Sequence, residues 1–144
     1  MKKSKEPKFI WNEETGIAIC IINEQFSGVA QCHDDDMDMK SEKVGCEIAY
    51  NRALLKCLRH EKNNVINPSL RALKQLYYSM KQSKRFNPKS YETIMLKRQI
   101  ENWKFDLDSI NDAIEVVQEY IHEYIKTKEE LYQHIRAMRK DKNQ

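Results

Sequence analysis

The chain has 144 residues, a third of them charged, with only three glycines and a net charge of +3. That length bounds it to one domain, or to a small head with a helical stalk, and so little glycine suits long exposed helices better than a turn-rich enzyme. No apolar run approaches the roughly 18 residues of a membrane span, and the basic start leads into no apolar signal core, so a cytoplasmic protein without membrane contact is expected.

Residues Lys8 to Asn12, Gly16 to Asn23 and Phe26 to His33 read as three strands, joined by turns at Glu14-Thr15-Gly16 and Asn23-Glu24-Gln25. The run Ile17-Ala18-Ile19-Cys20-Ile21-Ile22 is short and rich in β-branched residues, which favours strand over helix. Gly28 marks a bulge or a close approach of another backbone. A small antiparallel meander results, and it needs a helix to cover one face. The polar loop after it carries Asp34, Asp35, Asp36 and Asp38. Counted as an EF-hand, the positions that need Gly and Glu hold Met39 and Gly45, so an acidic turn leading to a helix N-terminus is the better reading.

A first helix is expected from about Ser41 to Glu61, with Val44, Ile48, Leu55 and Leu58 on its apolar face and Arg52, Lys56 and Arg59 on another. The pairs Asn67-Pro68 and Asn87-Pro88 each place a capping side chain before a proline at a first helical position. They predict a second helix from Pro68 to about Gln82 and a third from Pro88 onward, meeting in a hairpin or sharp corner. Phe86 and Tyr91 have the spacing of a hydrophobic staple around that cap.

No Gly or Pro follows Pro88. Leu96, Trp103, Ile110, Val117, Tyr124, Leu131 and Met138 recur every seven residues, and Ile100, Leu107, Ile114, Ile121, Lys128 and Ile135 run in the same frame. These rows fill both seams of a coiled coil, with one break at Lys128. A helix of about 50 residues would be about 75 Å long. It needs a partner for its stripe, folded back or in another chain, so a homo-oligomer through the C-terminal helices is expected. Asp106, Asp108, Ser109 and Asn111 are poor helix formers where a bend is conceivable. The expected fold is α+β: a small N-terminal antiparallel β-meander packed on a helix, then a helical hairpin with a long C-terminal coiled-coil helix. The expected organisation is sheet plus helix over 1–63, and hairpin with oligomerisation region over 64–144, as one continuous unit.

Charge is segregated along the chain. Arg71 to Lys104 holds nine Lys or Arg against two Glu, and Asp106 to Glu130 holds eight acids against two Lys. Two readings stand side by side: solvated faces whose opposite blocks set helix register, or a cationic lining for phosphates. Aromatic residues interleave with the basic block, among them Tyr77, Tyr78, Phe86 and Tyr91, and stacking with charge neutralisation suits nucleotides. Catalytic constellations are thin. The four cysteines lack metal-site spacing. Cys32 with His33 and Cys57 with His60 have no orienting third group. Glu119 and His122 form one Glu-x-x-His pair where a di-iron bundle needs two. No Gly-rich phosphate loop exists. The chain reads as a binder and not an enzyme, with no metal and no cofactor.

Phe26-Ser27-Gly28-Val29-Ala30-Gln31-Cys32-His33-Asp34-Asp35-Asp36, followed by Glu42-Lys43-Val44-Gly45-Cys46-Glu47-Ile48-Ala49-Tyr50-Asn51-Arg52-Ala53, resembles the first Thoeris anti-defense protein family of phages. The order of a small sheet and then long helices is similar across nearly the whole chain. The resemblance implies a sponge in the host bacterial cell. Members bind cyclic ADP-ribose-type signals made by bacterial TIR proteins without cleaving them, some also capture cyclic oligonucleotides, and pockets lie where subunits meet. Within the matched motif Arg52 carries over as a phosphate contact. Charge, position and the helix-cap corner add Arg59, Phe86, Asn87, Arg98 and Asn102 as ligand-binding residues. The alternatives are an oligomeric coiled-coil nucleic-acid-binding or regulatory phage protein, and a structural adaptor without ligand. Nucleic acid is the less favoured partner, because a strongly acidic block follows the basic one.

Overall fold

The computed structural model describes residues 6–32, 37 and 40–142. The fold is α+β: a three-stranded antiparallel sheet in the order β1-β2-β3, followed by helices. Strand β1 is Lys8–Asn12, β2 is Ile17–Ile22 and β3 is Phe26–Gln31. His33, expected in the third strand, and the aspartates of the acidic loop lie outside the described residues.

Both turns form where expected. In the first, the Asn12 side-chain oxygen accepts hydrogen bonds from the backbone N–H of Glu14 and Thr15 at 2.9 and 3.2 Å, and Gly16 takes a left-handed φ of 65°. In the second, Asn23 and Glu24 are both left-handed, a conformation Asn tolerates and Glu does not favour.

The chain forms two compact units, one made of residues 1–57 with 115–144, the other of 58–114. This grouping departs from the expected division at 63/64, because the C-terminal part of the long helix packs with the sheet's unit.

In the first unit the β2 pattern alternates. Ala18, Cys20 and Ile22 are buried, and Ile17, Ile19 and Ile21 are half-exposed. The buried set packs with Ala30 of β3 and with Ala49 and Ala53 of α1, Glu42–Glu61. The fully buried part of the helix face is therefore small, with Cys46, Ile48, Tyr50 and Leu54 half-buried around it; of the expected face Val44, Ile48, Leu55 and Leu58, Ile48 packs against this cluster. Small residues win because the backbones come very close: a Cβ on Gly28 would collide with the Ala49 carbonyl oxygen and sit 2.9 Å from the Arg52 Cβ.

α1 ends at Glu61 as expected, but the chain stays helical up to Pro68. It passes through a π-helical turn, Lys62–Ile66, into α2, Asn67–Lys81. Asn67 is itself helical (φ −61°, ψ −46°), makes no cap, and donates its N–H five residues back to Lys62. A proline inside a helix loses one hydrogen bond and crowds the carbonyl four residues earlier. The wider turn just before Pro68 absorbs that conflict.

The long helix α3 runs unbroken over Tyr91–Lys142, 52 residues or about 78 Å. It starts later than expected. Pro88 lies in a turn, and Ser90 is the cap: its Oγ accepts the Thr93 N–H at 3.3 Å and bonds the Thr93 Oγ1 at 2.8 Å. Asn87 instead closes a local turn, its side chain accepting from the Lys89 N–H at 2.9 Å. Tyr91 is 73% exposed, so the expected staple with Phe86 does not form. Leu70 of α2 packs with Leu96 and Ile100 of α3, supported by Leu73, Tyr77, Met80, Trp103 and Leu107, which makes the expected hairpin. The heptad seam is buried or half-buried from Leu96 to Lys128, while Leu131 and Met138 turn outward. A straight helix drifts about 20° per heptad relative to a strict seven-residue row, which carries Leu131 and Met138 off the buried face while Ile135 of the other row stays half-buried.

Candidate functional site

The first unit holds an open cavity of about 510 Å³. Its walls come from β1 and its turn (Trp11, Gly16), the end of β3 (Ala30, Gln31, Cys32), the approach to α1 and its first turns (Lys40, Ser41, Val44, Gly45, Ile48, Arg52), and the C-terminal part of α3 (Ile125, Lys128, Glu129, Tyr132). Each wall has a local cause. Gly45 lets α1 close on β1, since a Cβ there would sit 3.1 Å from the Trp11 ring. Ser41 starts α1, its Oγ accepting the Val44 N–H at 3.3 Å.

Among the described residues, three cations from three segments line this space together with one carboxylate, Glu129. Arg52 is anchored: its Nη1 donates to the Val29 carbonyl at 2.6 Å, which fixes the guanidinium and leaves further N–H donors to use. Lys40 faces Glu13 at 3.7 Å, and the same carboxylate accepts the Trp11 indole N–H at 2.6 Å. Lys128 lies 5.7 Å from the centre of the Tyr124 ring, one turn earlier on α3. Burial, then a hydrogen bond donated to the Glu47 carboxylate, push the Tyr124 phenol up to about 12. The ring under Lys128 thus stays a neutral phenol.

Of the residues expected from sequence, Arg52 alone lines this cavity. Arg59, Phe86, Asn87, Arg98 and Asn102 belong to the second unit. Phe86 packs edge-on against Tyr77 with ring centres 6.2 Å apart, and Lys81 and Lys97 place their ammonium groups 5.6 and 5.7 Å from the same Tyr77 ring. Phe86 thus belongs to a cluster of rings and cations gathered on Tyr77, with Lys81 and Lys97. Asn87 is occupied by its turn, and Arg59, Arg98 and Asn102 are exposed on helix surfaces. Sequence reasoning missed Lys40, Lys128, Trp11 and Tyr132. The signal for Lys128 was present: it is the one charged residue in the two apolar rows.

Burial first, and then neighbouring Cys46 or Glu42, push the thiols of Cys20 and Cys46 up, so both are held as thiols in the core. His60 shares a 3.1 Å contact with the Asn64 side chain. Among the described residues no group of three or more His, Cys, Asp or Glu is placed to hold a metal ion, Glu119 and His122 included. Nor is any described helix long and apolar enough to cross a membrane. Compared with protein-family models, with curated proteins and with solved structures, the chain matches none.

Proposed function

We propose that this protein is a sponge: it binds and sequesters an anionic nucleotide signal of the cyclic ADP-ribose type without cleaving it, and so blocks Thoeris signalling in the host bacterial cell. The observation that carries the reading is the convergence of Lys40, Arg52 and Lys128 on one cavity of about 510 Å³. That volume falls in the range of small-ligand sites, roughly 300–1,000 Å³. A pyrophosphate brings two negative charges and a fan of acceptor oxygens. An anchored guanidinium and two ammonium groups match it in charge and in donors. Trp11 and Tyr132 supply aromatic surface for a base, and Glu129 can accept from ribose hydroxyls. Capture alone needs no acid–base pair. The resemblance of residues 26–36 and 42–53 to the anti-defense family supports the same reading and names the ligand class. An oligomer through the C-terminal helices belongs to the proposal.

The test is calorimetric titration with cyclic ADP-ribose isomers and cyclic oligonucleotides, followed by heat denaturation and recovery of the ligand. Binding with intact ligand released supports the sponge. Binding to none of them, or release of a cleaved product, overturns it.

A second reading has one observation of its own. Arg71, Lys74 and Tyr78 of α2 border an open concavity of about 730 Å³ in the second unit, with Asn67 and Gln75 beside them. Cations with an exposed aromatic ring suit a nucleic-acid strand. In that case DNA binding would weaken steeply as salt rises.

A further inference from the structure

We propose that the free edge of β1 pairs antiparallel with β1 of a second copy of this chain, centred on Ile10, and so joins two sheets into one.

The two edges of the sheet differ. On β3 the Val29 carbonyl turns away from β2 and accepts from Arg52. In an antiparallel ladder, residues alternate between those that bond the neighbouring strand and those that bond outward. Val29 stands opposite Ile19, so the Ile19 backbone bonds the other way, to Ile10 of β1. The Ile10 backbone is thereby used inside the sheet, and the N–H and C=O groups of Phe9 and Trp11 on either side of it point outward. Among the described residues none takes them. Charge does not guard this edge either. Phe9 is 50% exposed and Ile10 52%, and Lys8, the one charge of the strand, stands at its end. An exposed apolar edge is a template for another strand.

The outward groups select both the partner and its register. Pro7 before the strand has no N–H to give, and after Asn12 the chain turns. Phe9 and Trp11 are therefore what the edge offers. A second β1 run antiparallel, with Ile10 on the two-fold axis, sets Phe9 opposite Trp11 of the second copy and Trp11 opposite its Phe9. Each of those pairs exchanges both backbone bonds, and no outward group is left over. Sliding the partner by two residues puts Pro7 opposite Trp11, or Glu13 of the turn opposite Phe9, and forfeits bonds. A parallel partner would set Lys8 beside Lys8, which like-charge repulsion disfavours, whereas here Lys8 meets Asn12. On the face away from α1, Val29, Ile19 and Ile10 stand in one row across the strands, and Ile10 meeting itself carries that aliphatic row into the second sheet. Three strands become six, at the upper end of the commonest sheet size of about four to six. The contact is isologous and closes at two copies. It involves no residue of α3, and it holds whether or not the cavity takes a nucleotide.

The test is cysteine cross-linking of the full chain under mild oxidation. Ile10→Cys should give a covalent dimer absent from the wild type. That position meets itself in a non-hydrogen-bonded pair, with Cα atoms about 4.5 Å apart and within reach of a disulfide. Lys8→Cys, on the same face of the same strand, should not, because its own copy stands four residues off, about 13 Å along the strands. Sedimentation equilibrium gives a second measurement. Phe9→Pro deletes an outward N–H and leaves the bonds between β1 and β2 in place, which an edge strand tolerates. It should weaken association about tenfold or more, with circular dichroism checking that the fold is kept; if that variant unfolds, the cross-links decide alone. A chain that associates through its helices and not through β1 gives no covalent dimer at Ile10→Cys. That result, a covalent dimer at Lys8→Cys, or unchanged association of a folded Phe9→Pro would overturn the proposal.

Discussion

Gly28 of β3 lies directly beneath Ala49 of α1, so close that a Cβ on the glycine would collide with the alanine's carbonyl oxygen. The obstacle is backbone, which no rotamer change can relieve, and the Ala53 N–H and Arg52 Cβ close the other sides. Gly28→Ala should therefore lift α1 from the sheet and cost about 1–3 kcal/mol of stability, the range of overpacked cores. Urea unfolding would show the loss as a lower midpoint. An unchanged midpoint would mean that the helix rests less tightly on β3.

Lys128 gives a prediction with opposed signs. A cation in an otherwise apolar seam is poor for packing and good for binding an anion. Lys128→Met should reduce capture of the nucleotide about tenfold or more, measured by calorimetry, while leaving thermal stability equal or higher. If both capture and stability fell, Lys128 would be a structural residue and not a ligand contact.

The start of α3 separates two caps that look alike in sequence. Ser90→Ala removes the side chain that holds the Thr93 N–H and should cost about 1 kcal/mol. Asn87→Ala touches only the preceding turn and should cost less. Denaturation midpoints for the pair decide the order, and the reverse order would return the cap to Asn87.

The Tyr124 phenol predicts alkaline behaviour. Burial and the Glu47 carboxylate hold it up to about 12, against about 10 in an unfolded chain. A raised folded value favours the protonated group in the fold. Its contribution to stability is thus complete below pH 10 and is lost as pH rises from there through 12. Stability of the wild type should fall over that window more than that of Tyr124→Phe. Parallel curves for the two proteins would show that the phenol is not held in this way.

The sheet and the long helix were legible because each rests on a strong local period. β2 alternates between buried and half-exposed positions, and the α3 rows repeat over five heptads before drifting outward. The Asn67-Pro68 pair placed the start of α2 but not its cap, and the Asn87-Pro88 pair placed the start of α3 too early, both for a physical reason. Such a pair signals a helix start only when the chain before it is not already helical. At Pro68 a π-helical turn carries the helix through, and at Pro88 a turn intervenes so that Ser90 takes the capping role. The candidate site was half legible. Arg52 stood out within its motif, but Trp11 reaches the cavity only through the strand pairing, Lys40 through the approach to α1, and Lys128 through the packing of α3 in the first unit. Proximity in sequence grouped Phe86, Asn87, Arg98 and Asn102, yet the ring that gathers cations there is Tyr77.

Arg52 has a further consequence through the strand it touches. β3 is an edge of the sheet, and its outer row of carbonyls is a template on which another chain's strand could pair. By occupying the Val29 carbonyl, the guanidinium interrupts that row and sets a bulky charge beside it. The same side chain that lines the cavity therefore also covers one acceptor that a pairing strand would need. A neutral residue at position 52 should therefore leave the Val29 carbonyl open at the sheet edge and make the chain more prone to strand pairing, whatever the cavity binds.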